Sequence, residues 1–234
     1  MNQPTPSLPS VGRPAAVLFD LLTALLDSWT LWNSCAGSDE AGRAWRAQYL
    51  QLTYGCGDYV PYEELVRQAA ASVGLGPAAP AALEARWDEL RPWPGALAAL
   101  REAGRHSKLA VVTNCSVRLG QSAAQRLGIR WDSIVTAEEA GVYKPNPQPY
   151  QLALLDLGVP AGQAAFVAGS GYDLIGTARV GLRTYWHNRA GLSLPPGASP
   201  PDMQAGSLAG LPAWLDTFPS ISTRPSAPNH DESC

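Results

Sequence analysis

Asp20 closes the apolar run AAVLFD (15–20), and further polar residues stand at the ends of similar runs. Thr113 and Asn114 close KLAVVTN (108–114), Ser170 and Asp173 follow AAFVAG (164–169), and Lys144 lies in the loop GVYKPNP after SIVTA (133–137). An acid, a hydroxyl, an amide, a cation and a second acid suit covalent catalysis by a carboxylate. A buried Asp attacks an electrophile to form an ester, dividing one difficult displacement into two easier steps. A nearby ammonium keeps that Asp ionised and oriented, because an opposite charge within a few ångströms favours the charged form. The second acid can then activate the water that hydrolyses the ester. Each position also has a plainer reading: Asp20 as a turn residue, Lys144 as a solvated loop lysine, Asp173 as a dipole-favoured helix start. The ordered set, each member at the end of an apolar run, is harder to assign to structure alone.

The elements that must position these residues follow from the same runs. Short apolar stretches ending in polar residues, including LRTYWHN (182–188), read as buried parallel strands. Helical stretches at 117–127, 147–158 and 172–180 separate the later ones. In 147–158, Leu152 and Leu155 are placed on one face with Asp156 beside them. Strands alternating with helices predict an α/β fold, a Rossmann-like parallel-sheet core whose strand ends share one edge. Residues 28–94 break the alternation with three helix-like segments near 38–55, 61–74 and 80–91. Trp45, Tyr49 and Leu52 fall on one helical face there. The expected organisation is a lead at 1–13 without structure, a core at 14–27 and 95–218, an inserted helical cap at 28–94, and a disordered tail at 219–234. One short helix is expected near 207–215.

Composition narrows the function. The chain has 234 residues, 46% hydrophobic and 16% charged, with a net charge of −3 and no long basic run. Nucleic acid and membrane surfaces are therefore not expected partners. No apolar run reaches the roughly 20 residues that span a bilayer, and the N-terminus has no basic-then-apolar signal pattern. The cysteines show no metal-type spacing, which suits reduced thiols in the cytoplasm. Of the 17 basic residues only Lys108 and Lys144 are lysines. Ammonium and guanidinium are not interchangeable, so each lysine merits a reason. Lys108 reads as a solvated surface residue, Cys115 as a buried small hydrophobe, His187 as structural, Asp27 as structural at the cap hinge, and the many Trp residues as cap packing.

The ordered motifs, Asp20 in VLFDLLTALLDS, Thr113 in VVTNCS, Lys144 in YKPNPQPY and Asp173 in FVAGSGYDLIGTA, resemble the haloacid dehalogenase superfamily over roughly residues 15–190. Phosphatases of that superfamily usually carry a second Asp two residues after the nucleophile, where this chain has Leu22, which has no proton to donate. The cap segment AWRAQYLQLTYG and Tyr172 before Asp173 look like the L-2-haloacid dehalogenase (type II) branch. The resemblance implies Asp20 as nucleophile and Arg46, with Asn114, as acceptor of the departing halide. It implies Leu21, Leu22, Leu50, Thr113, Asn114 and Tyr172 around the substrate, Ser170 in support, and Lys144 and Asp173 handling the hydrolytic water. The implied reaction converts a small (S)-2-haloalkanoic acid to the (R)-2-hydroxy acid, with no cofactor or metal. A homodimer is compatible with the resemblance. The chain departs from the branch at Leu22, where Tyr is usual, at Ala24, where Thr is usual, and at Ala168 and Ser170, which replace Ser and Asn. A magnesium-dependent phosphatase and a non-catalytic binding protein of the same fold are the alternatives.

Overall fold

The computed structural model describes residues 11–219. Six strands form one sheet: β2 (Ala16–Phe19), β3 (Lys108–Thr113), β4 (Ser133–Thr136), β5 (Ala164–Ala168), β6 (Arg183–His187) and β7 (Met203–Ala205). Two-residue strands β1 (Val11–Gly12) and β8 (Phe218–Pro219) pair with each other outside it. The order is β4-β3-β2-β5-β6-β7 and every pairing is parallel. The chain therefore builds outward from β2 on one side, then returns to β5 and builds outward on the other. Such a reversal opens a crevice at the carboxyl ends of the strands, and Asp20 immediately follows the strand at the reversal.

All four residues of β2 and all five of β5 are buried, as expected of central strands covered on both faces. Their side chains alternate between two cores. Val17, Phe19, Ala165 and Val167 join one with the helical insertion, while Ala16, Leu18, Phe166 and Ala168 face the other. Between β2 and β3 lie α1 (Ser28–Ala36), α2 (Asp39–Gly55), α3 (Tyr62–Ser72) and α4 (Ala78–Ala85), followed by α5 (Ala96–Ala103). Later come α6 (Val117–Gln125), α7 (Ala137–Ala140), α8 (Gln148–Leu157), α9 (Asp173–Val180) and α10 (Leu211–Leu215). The strands leading into and out of the insertion run side by side, with Leu26 bridged to Pro92 and Trp93 N donating to Leu25 O at 2.9 Å.

Several expectations need correction. Helix α1 was absent from the sequence reading, because SWTLWNSCA is poor in strong helix formers. It is held by tertiary packing of Leu31 and Trp32 and by Asp27, whose carboxylate accepts from Thr30 N at 3.0 Å. The third expected helix ends at Ala85 and continues as a 3₁₀ turn at Trp87–Glu89. Helix α5 and edge strand β7 were also unforeseen. On α8 the buried residues are Pro149, Tyr150, Ala153, Leu154 and Leu157, while Leu155 faces solvent and does not share the core face. The lead and tail are ordered at Val11–Gly12 and Phe218–Pro219, where Phe218 packs against Trp214. The remainder of both segments lies outside the described residues. No helix among the described residues is long and apolar enough to cross a membrane.

Candidate active site

The turn after β2 presents the Asp20 carboxylate to the crevice, buried at 6% exposure. Its Oδ2 accepts from Thr23 N at 3.0 Å, Thr23 Oγ1 at 2.5 Å and Ala24 N at 3.1 Å. Its Oδ1 accepts from Lys144 Nζ at 2.8 Å. Gly169 at the end of β5 makes room for this turn, since a Cβ there would run into the Thr23 and Ala24 backbone. Lys144 Nζ also lies 2.9 Å from Asp173 Oδ1, so one ammonium bridges the two acids. Asp173 begins α9, and its Oδ1 accepts a further bond from Tyr150 Oη at 2.9 Å. Its Oδ2 is buried and has no hydrogen-bond partner among the described residues.

The loop carrying Lys144 is clamped from β3. Asn114 Nδ2 donates to Lys144 O at 3.0 Å, and Lys144 N donates to Asn114 Oδ1 at 2.7 Å. Burial alone would raise the pKa of Asp20 and lower that of Lys144. Their attraction, with Thr23 aiding Asp20, reverses both, holding Asp20 below the ordinary carboxylate value and Lys144 above the ordinary amine value. At Asp173 burial prevails over the pull of Lys144, and the proximity of Asp20 adds to it, so this acid is raised.

Arg46, on α2, faces the site from the insertion. Its guanidinium lies over Trp29 at 4.3 Å and Trp32 at 5.0 Å, a cation–π arrangement on two faces. Nη2 donates to Ser28 Oγ at 2.6 Å, and Ser28 Oγ donates in turn to Leu22 O. Nη1 is buried without a partner among the described residues. Burial lowers its pKa to about 10, against the attraction of nearby groups including Asp20, and it remains a cation at neutral pH.

The match to a family model decides the lineage: residues 24–181 fit the haloacid dehalogenase-like hydrolases. The chain belongs to that family. Relatives of this hydrolase include the (S)-2-haloacid dehalogenase of Pseudomonas sp. (strain YL), 27% identical over 86% of this chain and 94% of that one. The haloacetate dehalogenase H-2 of Moraxella sp. (strain B) is 24% identical over 80% of this chain and 91% of its own. Among solved structures, the L-2-haloacid dehalogenase from Xanthobacter autotrophicus with covalently bound chloropropionic acid superposes with a TM-score of 0.74 at 21% identity, covering 86% of this chain and 98% of the other.

In this family member a single cavity of about 1270 Å³ joins the two halves of the site. Asp20, Thr113, Asn114, Lys144 and Asp173 line it from the sheet edge, Arg46 and Leu50 from α2, and Leu22, Ser170 and Tyr172 from the loops. Thr113 Oγ1 is buried with no partner among the described residues. Tyr172 packs on Tyr54, ring centroids 4.4 Å apart. Leu21 departs from expectation: its side chain is fully buried in the hydrophobic core and does not line the cavity.

Sequence reasoning missed Thr23, Tyr150, Ser28 and Trp29. Thr23 had a usable signal, because an Asp commonly accepts bonds from residues that follow it in a turn. The others touch the site through tertiary contacts alone. His187 is structural, its Nδ1 paired with Ala24 O at 2.8 Å. Burial raises the Cys115 thiol well above its usual range, which leaves it inert. Lys108 is exposed, and its Nζ donates to Leu157 O at 2.7 Å. The tryptophans brace the insertion against the core: Trp87 Nε1 donates to Leu119 O at 2.9 Å and Trp93 Nε1 to Thr23 O at 3.0 Å.

Proposed function

We propose that this hydrolase is a metal-independent 2-haloacid dehalogenase that converts (S)-2-haloalkanoates to (R)-2-hydroxyalkanoates through an ester on Asp20. The observation that carries the reading is Lys144 Nζ between Asp20 and Asp173, 2.8 and 2.9 Å away, beneath a cavity capped by an incompletely bonded arginine. In the first step Asp20 Oδ1 attacks C2 from the side opposite the halogen. The C–halogen bond breaks with inversion, and the departing anion meets Arg46. A substrate carboxylate finds a donor in the Thr113 hydroxyl, which has no partner among the described residues. Because the Asn114 amide is engaged with the Lys144 backbone, its chief role here is to hold that loop.

In the second step Asp173 takes a proton from water, which attacks Cγ of the Asp20 ester. Negative charge develops on Oδ2, where Thr23 N, Thr23 Oγ1 and Ala24 N already donate. Collapse breaks the Cγ–Oδ1 bond. Lys144 protonates the departing alkoxide and regains a proton from Asp173, while Asp20, left as the acid, gives the second proton of the water to solvent and returns to the carboxylate. The product thus leaves with the former Oδ1, and the water oxygen remains in Asp20.

A phosphatase would need a proton donor for its alkoxide leaving group, and Leu22, two residues after Asp20, offers none, whereas halide needs no proton. The test is halide release from L-2-chloropropionate and haloacetates, with and without EDTA. Release unaffected by EDTA and abolished in Asp20→Asn is the expected result. A single turnover in ¹⁸O-water should label the Asp20 peptide before the product. Phosphate release from phosphomonoesters that EDTA stops, with no halide release, would overturn the reading in favour of a phosphatase.

A further inference from the structure

The cavity extends well beyond what a two- or three-carbon haloacid fills. Its volume of about 1270 Å³ exceeds the roughly 300–1,000 Å³ of sites that enclose drug-sized ligands. Beside Leu50 and Tyr172, the cavity is lined by Trp93 and by the loop at 189–196, which contributes Leu192, Leu194 and Pro195. Four large apolar side chains are exposed among the described residues, and two of them, Leu192 (38%) and Leu194 (41%), line this cavity.

The loop that presents them is braced. Asn188 Nδ2 donates to Leu192 O and Leu192 N donates to Asn188 Oδ1, both at 2.8 Å. Pro195 is buried over Gly171, where a Cβ would collide with its ring. Arg189 lies over Trp93 at 5.4 Å and lines the same mouth. The two leucines are therefore held at the entrance with apolar surface left open to water, a cost that a matching ligand would remove.

We infer that the site accepts 2-haloalkanoates whose carbon chain runs several atoms beyond C3, with the chain lying along the wall from Tyr172 to Leu192 and Leu194. The inference rests on the proposed dehalogenase reading for the headgroup. With C2 at Asp20 Oδ1, the halide at Arg46 and the carboxylate at Thr113, the remaining substituent on C2 has the cavity mouth as its way out.

The test is a series of racemic 2-bromoalkanoates from C3 to C8, followed by halide release, together with calorimetric binding of the unhalogenated C3 to C8 alkanoates. Each methylene that leaves water should raise kcat/KM about four-fold until the wall ends. Leu192→Asp/Leu194→Asp should lower the C8-to-C3 ratio of kcat/KM at least five-fold; a ratio unchanged from wild type would overturn the inference. Both side chains are exposed, so the thermal midpoint should hold. Turnover of C3 with flat or falling values toward C8 would also overturn it while leaving the dehalogenase reading intact. Alkanoate affinity that climbs with length, without halide release from any member, would support the extended apolar site and overturn the dehalogenase reading. Absence of both would overturn both.

Discussion

Lys144 and Arg46 are both buried cations on one cavity, yet Lys144 has carboxylate oxygens at 2.8 and 2.9 Å while Arg46 has one hydroxyl and two indole faces. A buried charge is costly unless paired and hydrogen-bonded. At the sheet edge that cost is offset within the protein, by groups held on β2, α9 and the Asn114 clamp. At α2 the compensation is partial, and an N–H group has no partner among the described residues. The charge of Lys144 is thus matched within the protein by two carboxylates, whereas Arg46 has no carboxylate in hydrogen-bond contact and, in the proposed reaction, gains an anion only when the halide departs. In that proposed reaction the one arrangement keeps the nucleophile ionised, and the other favours a leaving group that acquires charge as the bond breaks.

Removing the lysine should show the contrast most strongly. Lys144→Met leaves two buried carboxylates facing each other and should cost about 3–5 kcal/mol in denaturant unfolding, with activity lost. Arg46→Met should cost clearly less stability, and an equal loss in the two variants would break the comparison. Lys144→Arg retains the charge, but a planar fork cannot place one nitrogen between both acids, so kcat should fall at least about 100-fold. Near-normal turnover would remove the proposed role.

The pH profile of kcat, which includes hydrolysis of the ester, sharpens the same distinction at smaller magnitude. The proposed mechanism needs Asp173 and Asp20 ionised and both cations protonated. The acid limb should follow Asp173, raised by burial, and not Asp20, which its neighbours hold low. The alkaline limb should lie near 10, where Arg46 titrates, because the two acids raise Lys144 despite its burial. An acid limb below the ordinary carboxylate range would reassign the base. The smallest expected effect is Thr23→Val, which removes one of three donors to Oδ2 and should slow ester hydrolysis about ten-fold. Accumulated ester, read by mass spectrometry of the Asp20 peptide, separates that outcome from slower attack on substrate.

The order of the candidate site residues was legible because each ends an apolar run or lies in the connection that follows one, and parallel strands deliver such connections to one edge. Five strands and the helices α2, α3, α6, α8 and α9 followed from the same periodicities. Helix α1 was not legible, since its stability comes from Leu31 and Trp32 packing and not from propensity. Nor was the part played by Tyr150, whose hydroxyl meets Asp173 only because α8 and α9 lie together.

The sequence by itself determined which groups reach the carboxyl edge of the sheet, since side-chain chemistry and strand periodicity are local properties. It also singled out Lys144, in a chain with one other lysine. Only the tertiary structure decided which hydrogen bonds those groups share, that Leu21 turns into the core while Leu22 faces the cavity, and that Thr23 supplies a hydroxyl to Asp20. The distribution of compensation between the two cations was decided there too. Such outcomes depend on desolvation and contact between segments far apart in the chain, which neither spacing nor composition records.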